Sequence, residues 1–374
     1  MPGMPTTARP AARTRGPAAG FSYIPSKLEI CFSERCNMAC GYCFVDKSSP
    51  HTLSAGALRR GLDVFFSLPS AERSVTFNTS EYLKYPALAR RALAAAFSGG
   101  RSGAGLKVVL TTNGLRLDAA MRRFLGSLGP GFQLNLSWDG APASHDSSRK
   151  LKGGRRGSSG RASANFMALA DKAAPRVIVT VTPGEAGRLA ENMAFLLSRG
   201  FRKFDVFPQM LADWGRRELA LLGAGVRGLV LLANGARGVE LRLLDRLWGR
   251  PGHDGVLLGS DGRFYMDEMV LLLKHRERSF FEIGDARRGL DLERRRLLFE
   301  ALHREARRLG GAACRSCGPG CGLPLPLFLW CKYRGHDFKS RLRGFCAISR
   351  LFRDAAGRLR PEARSPGDGA KPHA

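Results

Sequence analysis

Negative charge is scarce in this chain: 32 Asp and Glu stand against 60 Lys and Arg over 374 residues, a formal charge of +28. Such an excess attracts polyanions. The bases nevertheless run the whole length beside Ala and Gly, as a compositional bias toward Arg would place them. No RRM, KH or helix-turn-helix signature accompanies them, so a dedicated nucleic-acid function is not expected; an acidic peptide substrate suits the charge equally well. Long apolar runs are missing too. The strongest late one, Leu323 to Trp330, has eight residues and includes Pro324 and Pro326, too short and too broken to cross a bilayer. The first twenty residues are mostly Pro, Ala, Thr, Gly and Arg and do not read as a secretory leader. Cysteine is absent between Cys43 and Cys314, and the nine present fall into two groups. An odd number so grouped argues against a disulfide framework and for metal ligation in a reducing cytoplasm.

What is present is a regular alternation. Short runs rich in Val, Ile and Phe predict strands near 28–32, 73–77, 106–111, 132–137, 176–181 and 203–207. Each is followed by an amphipathic segment: Leu53 to Leu68, Tyr85 to Phe97, Ala119 to Leu128, Ala162 to Ala173, Ala186 to Arg199 and Arg216 to Ala233. Six strand–helix pairs predict the α/β class and a partial (βα)6 TIM-like barrel over residues 21–235, with a smaller cysteine-rich region over 236–350. Residues 1–20 and 351–374, rich in Pro, Ala, Arg and Gly, read as disordered basic segments. In parallel barrels chemistry gathers at the carboxyl ends of the strands, where the motifs fall.

The first motif is Cys36-Asn37-Met38-Ala39-Cys40-Gly41-Tyr42-Cys43, just after the first strand. Three thiolates on one loop can hold three corners of an iron–sulfur cube and leave the fourth iron open to a ligand. A structural zinc site is the alternative, and it wants a fourth ligand. Only His51, on a polar segment, and Cys31, inside the apolar strand where free Cys is usually a core residue, lie near. Later motifs are Thr76-Phe77-Asn78-Thr79-Ser80-Glu81-Tyr82, Thr111-Thr112-Asn113-Gly114, and Ser137-Trp138-Asp139-Gly140 continuing through His145-Asp146 to Arg149. Taken singly these are turn signals and a carboxylate favoured at a helix start. A β-hairpin is expected where Val256-Leu257-Leu258-Gly259 and Arg263-Phe264-Tyr265-Met266 flank Ser260-Asp261-Gly262. The last motif is Cys314-Arg315-Ser316-Cys317, followed by Cys321, Cys331 and Cys346.

In order and spacing these motifs resemble the radical S-adenosylmethionine (SAM) enzymes, and among them the peptide-modifying subgroup with a SPASM extension typified by anaerobic sulfatase-maturating enzymes. The resemblance covers residues 25 to 350. It implies a [4Fe-4S] cluster on Cys36, Cys40 and Cys43 with Tyr42 beside it, and SAM held through Thr79, Ser80, Glu81, Asn113, Ser137 and Arg149. Thr79 and Ser80 stand where the family carries two glycines, and side chains there restrict the approach of backbone to ligand. Asp267 falls at the position of the acid that deprotonates substrate; the plainer reading is a turn carboxylate. The cysteine expected in the hairpin is Met266. A single auxiliary [4Fe-4S] cluster is therefore expected on Cys314, Cys317 and Cys346 with Cys321 or Cys331 as fourth ligand, a four-thiolate zinc site being the alternative. The implied activity is reductive cleavage of SAM and abstraction of hydrogen from a peptide or protein side chain, with electrons from flavodoxin or ferredoxin. A radical SAM enzyme acting on a small molecule or RNA, or a non-catalytic iron–sulfur protein, are the alternatives.

Overall fold

The computed structural model describes residues 24–70, 72–98, 105–153, 156–170, 174–209, 211–243, 255–315 and 325–364. Six strands stand where the apolar runs predict them: β1 (Lys27–Ile30), β2 (Arg73–Phe77), β3 (Leu106–Thr112), β4 (Phe132–Ser137), β5 (Arg176–Val181) and β6 (Lys203–Pro208). Helices α1 (Ala55–Phe66), α2 (Pro86–Phe97), α3 (Ala119–Gly126), α4 (Pro142–Ser148), α5 (Ser159–Ala170), α6 (Leu189–Ser198) and α7 (Arg216–Gly235) connect and follow them. The strands pair in parallel, in sequence order. A seventh parallel strand, β7 (Glu240–Leu243), pairs with β6 and carries the barrel past the expected boundary at 235.

Alternation along the strands sorts the side chains into two layers. Leu28, Ile30, Val75, Phe77, Val108, Leu110, Leu134 and Leu136 belong to the apolar core with helix residues Leu58, Leu62, Phe65, Leu93 and Met121. In α1 the contacts recur at i, i+4 and i+7, and Ser54 caps the helix by accepting from Ala57 N. Each fully buried Leu or Phe of this layer contributes roughly 1.5–3 kcal/mol. Most of the intervening positions, which face the other side of the sheet, are polar, with exceptions such as Val109 and Ile178. Gln133 donates to Asn135 (2.7 Å), Asn135 to Thr111 (3.3 Å) and Thr111 to Asn78. Lower in the barrel, Arg176 and Arg242 both pair with Asp205 (3.0 and 2.7 Å).

The expected hairpin forms as β8 (Gly255–Leu258) and β9 (Arg263–Tyr265), with Leu257 opposite Tyr265. It does not stand apart, because β8 pairs in parallel with β1, and β10 (Glu282–Asp285) and β11 (Gly289–Leu290) extend the same sheet beyond it. Helices α8 (Leu292–Arg315, bent at Gly311), α9 (Leu325–Arg334) and α10 (Phe338–Gly357) follow. The expectation of a disordered tail fails for residues 351–364. Phe338, Leu342, Phe345, Ile348, Phe352 and Ala355 form one buried stripe along α10. Leu359 and Ala363 are buried too, and Arg364 forms a parallel bridge with Leu241. The basic side chains that suggested disorder occupy the opposite face of this amphipathic helix. Residues 1–20 lie outside the described residues. By length and composition α7 could span a membrane; its Leu222, Val226, Leu229 and Val230 are buried in the core with α6 residues Leu189, Met193 and Leu196.

Candidate active site

The three early cysteines lie on a loop leaving the carboxyl end of β1, and the loop is pinned from both sides. Ala39 N donates to Lys150 O (2.8 Å), Gly41 N to Ser148 O (2.9 Å) and Lys152 N to Asn37 O (3.2 Å), while Lys47 Nζ reaches Met38 O (3.0 Å). On the other flank Glu34 forms a fully buried ion pair with Arg278 and accepts from Ser260 Oγ (2.7 Å). Cys36 and Cys40 are half-buried and Cys43 is exposed. Met38 N donates to Cys36 Sγ (3.4 Å) and Asn113 Nδ2 approaches it at 3.9 Å. Burial pushes the Cys36 thiol up to about 11 and raises that of Cys40. Both therefore keep their protons at neutral pH unless a bound cation repays the loss of solvation. Among the described residues no three His, Cys, Asp or Glu side chains gather closely enough to hold a single metal ion. Cys31 is fully buried in the core and His51 is exposed, its ring against His275 at 4.8 Å. The donor set is three thiols on a loop with one open face, which suits a multi-iron group.

At the end of β2, hydroxyls tie the strand end to β1. Tyr82, fully buried, donates to Ile30 O (2.6 Å) and receives Thr79 N (3.1 Å); its oxygen also lies 2.7 Å from Thr79 Oγ1. Glu29, inward on β1, accepts from Thr76 Oγ1, from Asn78 N (2.6 Å) and from Tyr82 (3.3 Å). Burial, then the nearby Glu268, pushes Glu29 up to about 8. Glu81 is 1 % exposed and joins β2 to β3 by accepting from Leu83 N (3.1 Å), Thr112 Oγ1 (2.9 Å) and Asn113 N (2.7 Å). Burial raises it to about 7, and those three donors oppose the rise. Between them, Ser80 holds a buried hydroxyl with no hydrogen-bond partner among the described residues.

At the end of β4 the organising group is Asp139. Its Oδ2 accepts from Tyr42 (2.7 Å) and from Arg149 Nε (2.8 Å), and its Oδ1 from Arg149 Nη2 (3.1 Å) and Thr180 N (2.9 Å). The guanidinium also lies over the Tyr42 ring at 5.3 Å. One carboxylate thus ties the cysteine loop, β4 and β5 together, and it already holds the fork of Arg149. Burial, then Arg149, lowers His145 to about 4, so the ring is neutral. Its Nδ1 accepts from Asp139 N (3.4 Å) and its Nε2 donates to Ser158 Oγ (2.9 Å), which donates to Arg149 O (2.9 Å). Gly114 has φ of +76°, and a Cβ there would lie 2.3 Å from Phe166. A small cleft opens beside Asp139, lined by Ser144, Thr180, Thr182, Glu185 and Asn192.

The strand ends thus bring together Cys36, Cys40, Cys43, Tyr42, Thr79, Ser80, Glu81, Asn113, Ser137 and Arg149. Asp267 stands apart. Glu29 is level with Leu257 and Leu257 with Tyr265, so the extended chain beyond Tyr265 carries Asp267 down to the level of Lys27, the amino end of β1. There it caps the turn Glu268–Leu272, accepting from Met269 N (2.8 Å), and Glu268 pairs with Lys27 (3.1 Å). Of the late cysteines, Cys331 is 2 % exposed in the apolar core, and Cys346 is half-buried on α10. Cys314 lies near the end of α8; Cys317 and Cys321 lie outside the described residues. Sequence reasoning missed Glu29, whose signal was a lone acid inside an apolar strand. It also gives Asp139 no role of its own within the Ser137-to-Arg149 motif.

Among solved structures, the sulfatase-maturating enzyme anSMEcpe with bound AdoMet and the Cp18Cys peptide is similar at a TM-score of 0.64 and 17% identity, covering 88% of this chain and 99% of that one. Its form with bound AdoMet and the Kp18Cys peptide gives 0.64 at 15% identity, over 88% and 99%. SuiB of Streptococcus suis bound to the precursor peptide SuiA gives 0.57 at 14% identity, over 81% of this chain and 71% of that one. No protein-family model and no curated protein matches the sequence. At these identities the likeness is one of architecture, and the chain has the fold of radical SAM peptide-modifying enzymes with a SPASM extension.

Proposed function

We propose that this chain is a radical SAM enzyme that removes hydrogen from a side chain of a peptide or protein substrate, leaving an oxidised residue or a cross-link. The observation that carries the reading is the convergence of a three-cysteine loop with buried Glu81, Asn113 and the Asp139–Arg149 pair at the carboxyl ends of four neighbouring strands. The solved relatives of this fold were determined with AdoMet or with peptides. When bound, a [4Fe-4S] cluster and SAM supply one electron and a 5'-deoxyadenosyl radical.

In this reading Cys36, Cys40 and Cys43 hold the cluster. Ser80 and Glu81 receive the amino group of SAM, and Ser137 hydrogen-bonds the ribose. Arg149, whose Nε and Nη2 are taken by Asp139, offers its remaining Nη1 to the carboxylate and orients Tyr42. An external donor of the flavodoxin or ferredoxin type supplies the electron. An auxiliary cluster would be held by Cys314, Cys317 and Cys346 with Cys321 as fourth ligand in preference to Cys331, which is 2 % exposed within the apolar core. Cys331→Ala then keeps the iron content of wild type, whereas Cys346→Ala loses the auxiliary iron; zinc at that site would refute the assignment. The test of the function itself is anaerobic reconstitution followed by a 5'-deoxyadenosine assay, beside a Cys36→Ala/Cys40→Ala/Cys43→Ala variant. Deoxyadenosine from wild type alone is expected. Its absence from both, with iron and sulfide incorporated and no change in the reduced cluster's spectrum on adding SAM, overturns the proposal.

A further inference from the structure

The outer face of the cysteine loop carries small exposed residues flanked by basic side chains. Ala39, Gly41 and Cys43 are all exposed, so its centre carries nothing larger than a methyl or a thiol beside Tyr42. Internal packing does not require glycine at 41, since a Cβ there would meet nothing nearer than Ser148 O at 4.0 Å. Absence of a side chain at that position preserves clearance on the outside.

Around this centre stand Arg35 and Lys47 from the loop itself, Lys84 from the turn after β2, and Lys150, Lys152 and Arg156 from the segment after α4. Each is placed by a bond to the loop or to its neighbour. Lys84 Nζ reaches Arg35 O (3.5 Å), Lys47 Nζ reaches Met38 O (3.0 Å), Lys150 O and Lys152 N bond Ala39 and Asn37, and Arg156 O accepts from Leu151 N (2.9 Å). None of the six makes an ion pair among the described residues. Of the nearby acids, Glu34 is engaged with Arg278, Asp139 with Arg149 and Asp146 with Ser159 (2.6 Å), while Asp46 beside Lys47 accepts from Ser48 N (3.0 Å) at the surface, one acid among the six bases. Some surface arginines elsewhere are neutralised on their own helices, as Arg188 is by Glu191, Arg296 by Glu293 and Arg308 by Glu305; others, such as Arg343, Arg350 and Arg353 on α10, are exposed but lie away from the cysteine loop.

We propose that this cationic ring is the docking surface for an acidic one-electron donor protein, which seats over Ala39, Gly41 and Cys43. The proposal rests on the radical SAM reading, which requires an electron to reach this loop. A centre of small exposed residues lets two proteins approach closely. A rim of unpaired like charge steers an acidic partner and fixes its register, and a short-lived redox encounter needs only a small interface.

The test uses the cluster-loaded full chain and a strongly acidic flavodoxin, with binding followed by calorimetry at low and high salt. The reversal variant is Arg35→Glu/Lys152→Glu/Arg156→Glu, and the control is Arg343→Glu/Arg350→Glu/Arg353→Glu on the exposed face of α10. The ring variant is expected to weaken flavodoxin binding at least about tenfold and to flatten its salt dependence, with the control near wild type. Deoxyadenosine formation driven by dithionite is expected to be unchanged in both. Equal binding by ring variant and wild type overturns the proposal, as does an equal loss in the control. Loss of an acidic peptide's binding with flavodoxin binding intact assigns the ring to substrate and also overturns it. No deoxyadenosine from wild type even with dithionite refutes the underlying radical SAM reading, a result separable from the binding data.

Discussion

Tyr82→Phe removes a single oxygen from the candidate site and isolates its most unusual contact. The ring packs edge-on against Phe32 at 5.0 Å and Phe77 at 5.4 Å, and phenylalanine keeps both contacts, so no cavity forms. What is lost is the partner of Thr79 N and of Ile30 O, both at the buried junction of β1 and β2. An orphaned buried donor costs about 1–3 kcal/mol and an under-satisfied carbonyl somewhat less. The expected destabilisation is thus roughly 2–4 kcal/mol. Urea unfolding of the cluster-free chain measures it as a lower midpoint with unchanged slope. Because the same hydroxyl holds Thr79 next to Ser80 and Glu81, equilibrium dialysis should show SAM binding weakened by more than the Thr79→Ala change causes. A Tyr82→Phe variant within about 0.5 kcal/mol of wild type, binding SAM normally, would refute the idea that this hydroxyl ties the end of β2 to β1.

Asp139→Asn leaves Arg149 buried without its countercharge, and loss of one partner of such a pair costs about 3–5 kcal/mol; thermal unfolding should show it, and Tyr42 fluorescence should change. Gly114→Ala combines φ of +76° with a Cβ 2.3 Å from Phe166, so a loss of about 2–4 kcal/mol is expected from backbone strain and overpacking together. Glu81 and Glu29 have folded values near 7 and 8, above the ordinary 4.5 of an unfolded Glu. The folded state therefore holds protons that the unfolded chain has released, and stability falls as pH rises from about 4.5 to about 8. Denaturation midpoints across that window should fall, and Glu29→Gln should flatten the upper part of the slope.

The barrel was legible because its strands are apolar on the helix side and end in polar turns, which periodicity registers directly. β7 escaped notice because four residues alternating Glu, Leu, Arg and Leu look like loop until β6 is placed beside them. α10 was hidden by arginine: its stripe from Phe338 to Ala355 is regular, yet the composition of the last residues suggested disorder. Among site residues, the cysteines could be read because ligand spacing on one loop is local. The partnership of Asp139 with Tyr42 and Arg149 was not, since it joins residues 97 and 10 positions apart. Asp267 was placed by resemblance to a motif, and strand register carries it to the opposite end of β1.

The ion pair of Glu34 with Arg278 closes a span of 244 residues, and β1 finds its second neighbour only when β8 exists. During synthesis the cysteine loop therefore emerges early but stays unfinished until most of the chain has left the ribosome. Its thiols wait, solvated and unshaped, through the assembly of the strands in between. If the loop holds a cluster as proposed, its loading would follow the arrival of β8 and Arg278, and a fragment ending after α7 would keep all three cysteines yet lack the arginine that secures their loop.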